Sequence, residues 1–338
     1  MSQGKGPGSH KRSRLSTTID LATSLGFIGG LLWLSFFYHL KVDVPQVQPD
    51  PFDRRTIYYS LAVPTPDIIW ASGSYGRVIR SENKGQSWTI QPAGTNENLL
   101  ALVAWNEREA VAAGDNGVVL RSDDSGRTWS QVAVEMRPNG KLILNGVVVP
   151  QSGRALLVGE FGTILASDDH GRSWRHTHPE KDLAWHAIRV APDGRIWVVG
   201  EFGNVSLSAD GGETWTALKS PADVTLTSIV FTPKGDAVIA GLSGKAYRSG
   251  DGGETWTPLP IAGGESIFGG GVFGDTVLAY GGDGGIYVLA AGTDGWTRQV
   301  STPPFKGFVM ASVAAGDQLL FAGTGFGEFS HGQLRMFK

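Results

Sequence analysis

The stretch SADGGETW, Ser208 to Trp215, sets an aspartate and two glycines between a hydroxyl and a tryptophan. It returns as SGDGGETW (Ser249 to Trp256), SDDHGRSW (Ser167 to Trp174), SDDSGRTW (Ser122 to Trp129) and, more loosely, SENKGQSW (Ser81 to Trp88). An enzyme seldom needs several copies of one catalytic loop, whereas a repeated structural unit needs its turn in every copy. The tryptophans Trp88, Trp129, Trp174, Trp215 and Trp256 are spaced by 41, 45, 41 and 41 residues, and Trp296 follows 40 later. A period near forty, filled with alternating apolar runs such as LLALVAWN and GVVLRSDD and with no long helical period after Leu40, reads as propeller blades.

A second signature sets the register. A Gly-x-x-Gly turn begins 15 residues before each of those tryptophans, at Gly73, Gly114, Gly159, Gly200, Gly241 and Gly281, and a seventh glycine turn stands at Gly323. The expectation is therefore an all-β chain with a seven-bladed β-propeller over residues 58–338, four strands to a blade. In blade 2 these are Leu99 to Trp105, Ala110 to Ala113, Val118 to Ser122 and Thr128 to Val134. The 48 glycines and 11 tryptophans, with 18% charged residues, suit short strands joined by tight turns. How the ring closes stays open, since blade 7 can supply its own outer strand from Gln333 to Phe337.

Ahead of the repeats, residues 1–20 carry Lys5, Lys11, Arg12 and Arg14 against Asp20, and residues 21–40 hold no Asp, Glu, Lys or Arg. Twenty such residues at about 1.5 Å each span a bilayer core of about 30 Å. The reading is a basic cytoplasmic tail (1–20), a single transmembrane helix (21–40), an extended linker (41–57) with Pro45, Pro49 and Pro51, and a propeller on the outer side of the cytoplasmic membrane, since positive charge stays inside. A cleaved signal peptide is the rival, with a soluble secreted propeller as its product, but no small-x-small cleavage site follows Tyr38. Ala22, Gly26 and Gly30, with Gly29 alongside, form a small-residue stripe on which a helix of a polytopic partner can pack. Residues 41–338 hold 25 Lys and Arg against 31 Asp and Glu, a balance of −6, which argues against nucleic acid. The chain has no cysteine, so disulfides, thiolate metal sites and a lipidated Cys anchor are excluded.

Within the eight-residue motif, Asp124, Asp169, Asp210 and Asp251 read as turn holders that accept backbone N–H groups, with Ser122, Ser167, Ser208 and Ser249 before them. Trp129, Trp174, Trp215 and Trp256 re-enter the sheet to pack between blades. The central pairs of the Gly-x-x-Gly turns contain Tyr75, Asp115, Glu160 with Phe161, Glu201 with Phe202, and Asp283. A ring of aromatics and acids on one face is the candidate partner surface, although Phe161 and Phe202 fit packing between blades equally well. His170, His176, His178 and His186 form the one histidine concentration, with His176 and His178 on one face of a strand. No second ligand pair converges on them, so no metal and no cofactor is expected. The innermost strands carry no carboxylate and Arg189 as their cation, which leaves glycoside hydrolysis without its paired acids.

The motif Ser-x-Asp-x-Gly-x-Thr-Trp resembles the Asp-box, or BNR repeat, of sialidases and other propellers. Together with the preceding Gly-x-x-Gly, the chain resembles the photosystem II stability and assembly factor family over about residues 58–300. That resemblance implies a seven-bladed propeller at a membrane that assists assembly of membrane-protein complexes without catalysing a reaction. It also implies an arginine patch, for which Arg80, Arg121 and Arg248 are the nearest positions here, with Ala166 and Leu207 interrupting the series. Those relatives are lumenal or lipid-anchored, whereas this chain carries a membrane segment, so the client complex is either photosystem-like or a transporter, for example of the RND superfamily. The alternative is a sialidase-like hydrolase or carbohydrate-binding propeller.

Overall fold

A computed structural model describes residues 25–33, 50–135 and 141–336. Residues 25–33 form a helix, and no helix among the described residues is long and apolar enough to cross a membrane. The remainder of the segment read as transmembrane, Ala22 included, lies outside the described residues. Gly26, Gly29 and Gly30 lie on the helix, and a Cβ at any of them would meet nothing within 4 Å.

The second compact unit starts at Pro49 and contains seven four-stranded antiparallel sheets. Every sheet is a simple meander of consecutive strands, from Tyr58–Thr65, Ile68–Gly73, Val78–Ser81 and Thr89–Gln91 in blade 1 to Val309–Ala315, Gln318–Gly323, Phe326–Ser330 and Gln333–Met336 in blade 7. In blade 2 the strands are Leu99–Ala104, Ala110–Gly114, Val119–Ser122 and Ser130–Gln131. The outer strand is shorter than its apolar pattern suggests, because it pairs on one edge only and is held over two residues.

The ring closes without strand exchange. Blade 7 completes itself, and its Ala311, Leu320, Ala322 and Phe326 pack against Tyr58, Ile69 and Ile79 of blade 1. Phe52 wedges into that seam, its ring 5.0 Å from Phe326 and 6.0 Å from Trp88. Residues 50–57, expected as part of an extended linker, therefore pack with the propeller; Phe52 is half-buried and Thr56 is buried. The other six apolar clusters likewise each join two consecutive blades. The core is a set of seven seams, where each sheet buries both faces against its neighbours.

Candidate binding face and channel

The Asp-box turns sit between the third and fourth strands of their blades. Ser122, Ser167, Ser208 and Ser249 each accept the N–H of a glycine four residues on, all at 2.8 Å, and donate to the carboxylate two residues on. The carboxylates of Asp124, Asp169, Asp210 and Asp251 take the backbone N–H and hydroxyl of the Thr or Ser four residues further. Hydrogen bonds from that hydroxyl and its backbone N–H hold Asp210 and Asp251 well below the usual carboxylate range. These groups are occupied by the turn, which makes them structural.

The glycine of the turn has a further reason to be there. A Cβ on Gly126 would lie 2.6 Å from the Trp70 ring, and one on Gly212 would lie 2.5 Å from Leu156. Both glycines have positive φ as well, so the turn is pressed against the preceding blade at a point where only glycine fits. The motif tryptophans finish the same seam: Trp129 meets Trp70 edge-on at 5.8 Å, and Trp256 meets Trp197 at 6.5 Å. The packing of the tryptophans between blades was legible in the repeat, but the press of the turn glycine against the neighbouring blade was not.

The arginine patch implied by the resemblance is not a free patch. Arg80 is buried, pairs with Glu82 and lies over the Trp70 ring. Arg121 binds Glu109 and Asp123 and donates to the His170 carbonyl of the next blade at 2.8 Å. Arg248 is paired with Asp236. Arg154, on the second strand of blade 3, donates to the Gly211 carbonyl at 2.7 Å and to Glu213 at 2.7 Å. Arg121 and Arg154 thus brace the Asp-box turn of the following blade, and their charge is spent at the seam.

The histidines are dispersed too. The outer strand of blade 3 spans only Arg175–His176, so His178 lies past its end and the two do not share a strand face. His170 faces Glu109 and stacks on Trp105, whereas His186 is on the inner strand Trp185–Val190. Among the described residues no group of three or more His, Asp or Glu could hold a metal ion.

On the opposite face, the Gly-x-x-Gly turns of blades 1 to 4 sort their two central residues into different tasks. The first clamps the start of the blade's own inner strand, as Ser74 does by accepting the Ile57 N–H at 3.0 Å. Glu160 accepts the Ile143 N–H at 3.1 Å, Glu201 accepts the Ala184 N–H at 2.8 Å, and Asp115 accepts from the Asn98 amide at 2.8 Å. Asp115, Glu160 and Glu201, read as partner contacts, are thereby engaged in the fold, whereas Asp283 holds the second position of its turn. The second residue points away at positive φ: Tyr75, Asn116, Phe161, Phe202, Ser243 and Asp283 all lie between 53° and 57°. Phe161 is half-buried against the blade 2–3 seam, while Tyr75 is 70% and Phe202 62% exposed. The final glycine of the turn reaches the connection into the next blade, Gly76 donating to Glu97 and Gly117 to Leu142. The turns and the blade-to-blade connections therefore share one face. Leu242, a central residue of the blade 5 turn, and Phe308, which the sequence reading passed over, add exposed apolar surface there, and Phe308 approaches Phe268 at 6.1 Å.

Between the blades runs a central channel of about 670 Å³, lined by all seven inner strands. No Asp or Glu is among its lining residues, so the paired acids of a glycoside hydrolase are missing from it. His186 projects here, and burial holds its pKa below the ordinary value, with Glu201 opposing the shift.

Two solved YCF48 structures share this fold. The first, described as YCF48 bound to D1 peptide, superposes with a TM-score of 0.67 at 18% identity, covering 79% of this chain and 90% of that one. The second, YCF48 from Cyanidioschyzon merolae, gives 0.64 at 17% identity, covering 82% and 94%. YCF48 is a photosystem II assembly factor built as a seven-bladed propeller, so the resemblance drawn from the repeats agrees with the architecture. No protein-family model matches the chain, and no curated protein matches it by sequence.

Proposed function

We propose that this protein is a non-catalytic docking propeller, an accessory or assembly subunit of a larger membrane-protein complex, and that residues 21–40 hold it in the cytoplasmic membrane with the propeller outside. The observation that carries the reading is the pair Tyr75 and Phe202. Both are large aromatic side chains, largely exposed, at the tip of a turn in the left-handed backbone region. Bulky residues at positive φ cost stability, and an exposed ring returns none of that cost to the fold. Exposed aromatics on a rigid scaffold are the usual anchors of protein recognition. The YCF48 neighbours, one of them bound to D1 peptide, support a protein client, and a photosystem-like complex or an RND-type transporter are the two kinds of client proposed.

The test is gentle extraction of the native membrane, isolation through a C-terminal tag and mass spectrometry of what co-purifies. A polytopic partner is expected, with recovery reduced by Tyr75→Ser plus Phe202→Ser and also by Gly26→Leu plus Gly30→Leu, the latter without detaching the protein from the membrane. Unchanged recovery with the Tyr75/Phe202 variant, its fold intact, would sink the docking-face reading. Release of the wild-type chain by a salt wash without detergent would overturn the membrane anchor.

A further inference from the structure

The channel contains one charge with no counterpart. Arg189, on the inner strand of blade 4, lines both the central channel and an adjoining pocket of about 420 Å³, and no Asp or Glu lines either space. Its guanidinium gives one N–H to the Ile188 carbonyl at 2.8 Å and has no carboxylate partner among the described residues. This sets it apart from Arg80, Arg121, Arg154 and Arg248, each of which pairs with an acid. Those four are neutralised where they stand, whereas Arg189 keeps its charge at the wall of an enclosed space.

The surroundings have two characters. Val103 and Val147 from blades 2 and 3 give the channel apolar wall, while Ser228, Ser312 and the Tyr280 hydroxyl give it neutral polar wall. The polar side is built deliberately by a run of three glycines, Gly269 to Gly271, inside the inner strand of blade 6. A Cβ on Gly269 would stand 2.4 Å from the Tyr280 ring, so its absence lets that ring lie across the strand. The Tyr280 hydroxyl then bonds the Ser312 hydroxyl at 3.1 Å. A Cβ on Gly271 would stand 2.3 Å from the Ser312 hydroxyl, and one on Gly270 2.7 Å from the Ser228 hydroxyl. Glycine inside a strand weakens it, and its accepted use is close approach of a neighbour or ligand. Burial raises the Tyr280 pKa and the Arg189 charge opposes the shift, so the field of this cation reaches the hydroxyl pair.

We propose that the channel is a binding site for a carboxylate carried on an apolar body, anchored by the Arg189 guanidinium. One planar fork and one positive charge match the two oxygens and single charge of a carboxylate. A phosphate dianion would leave its second charge without a cation, since no lysine and no second arginine lines the channel. The valines receive the apolar part, and the hydroxyls of Ser228 and Ser312 flank the head. The carboxylate can belong to a free amphiphile or to the C-terminus of a peptide chain ending in apolar residues.

Calorimetric titration of the purified full-length chain separates these sources. The probes are octanoate below its micellar concentration with octan-1-ol as its neutral twin, and acetyl-Leu-Ala-Val-Leu with a free carboxylate or as its amide. At least one carboxylate probe is expected to bind with one site per chain, tenfold or more tighter than its twin. Arg189→Gln should abolish that preference and Arg189→Lys should keep part of it, both with unchanged melting temperature because Arg189 is exposed and makes one backbone bond. Binding of octanoate alone identifies a small amphiphile; binding of the peptide alone identifies a chain end. Equal binding of acid and twin, a preference that survives Arg189→Gln, or no binding of either acid at millimolar concentration would overturn the proposal.

Discussion

Blades 2 to 5 and blades 6 and 7 have the same four-stranded meander but close its outer edge by different chemistry. In blades 2 to 5 the turn before the outer strand is a polar lock, in which a buried serine, an ionised aspartate and a Thr or Ser hydroxyl satisfy the backbone. Blade 6 has two local bonds there, from the Thr293 hydroxyl and backbone N–H to the Ala290 carbonyl at 2.8 and 3.2 Å, and its Trp296 donates instead to the Leu259 carbonyl of blade 5. Blade 7 turns in two residues, His331 and Gly332, both at positive φ. Its outer strands are held by Phe329 and Leu334 packing on Phe321 and Tyr280. The backbone N–H of Thr302, in the connection between blades 6 and 7, adds a bond to the Leu334 carbonyl. A propeller blade thus requires a closed turn and a filled seam, but not a particular residue set for either.

The largest effect is expected where the two halves agree. Trp197 in the Asp-box half and Phe321 in blade 7 are both fully buried in seams, so alanine at either should cost about 3–5 kcal/mol in denaturant unfolding. A much smaller loss at Trp197 would mean that the polar locks, not the seams, dominate blades 2 to 5. Next comes the lock itself. Ser208→Ala leaves the buried Gly212 N–H without its acceptor and should cost about 1–3 kcal/mol, against about 0.5 kcal/mol or less for Thr293→Ala in blade 6. Equal losses in the same unfolding assay would erase the distinction.

Acid should split the halves more gently. Asp124, Asp169, Asp210 and Asp251 all titrate below their ordinary value of 3.8 in the folded chain. The unfolded state therefore binds more protons as the pH falls below about 4, and the locks lose their contribution from there down through the folded values, while above about pH 5 it is present in full. Amide exchange compared at pH 6 and pH 3, corrected for intrinsic rates, should show lost protection at Gly126, Gly171, Gly212 and Gly253. The blade 7 turn at His331–Gly332, with no Asp lock, should change little. The smallest effect belongs to the docking face: Phe202→Ser should leave stability within about 0.5 kcal/mol, measured by thermal unfolding, because the ring is exposed. A larger loss would return Phe202 to the core alongside Phe161.

The repeat period and the two glycine motifs determined the propeller, its blade number and the place of each Asp-box, because turn chemistry is local and recurs wherever the same backbone is needed. The absence of acids from the inner strands was equally legible, since strand position follows from the period. Which residues face a partner was decided only in three dimensions. Glu160 and Phe161 are chain neighbours of like prominence in the sequence, yet one clamps Ile143 and the other tucks toward blade 2, while Phe202 at the same repeat position stands clear. Arg80 and Arg121 each have an acid two residues on, Glu82 and Asp123, but the Trp70 ring under Arg80, Glu109 and the His170 carbonyl at Arg121 and Asp236 at Arg248 come from other strands, and for Arg121 partly from the next blade. Period and turn type are properties of a short stretch of chain. Exposure and ion pairing depend on distances between strands far apart in sequence, and only the closed ring sets those.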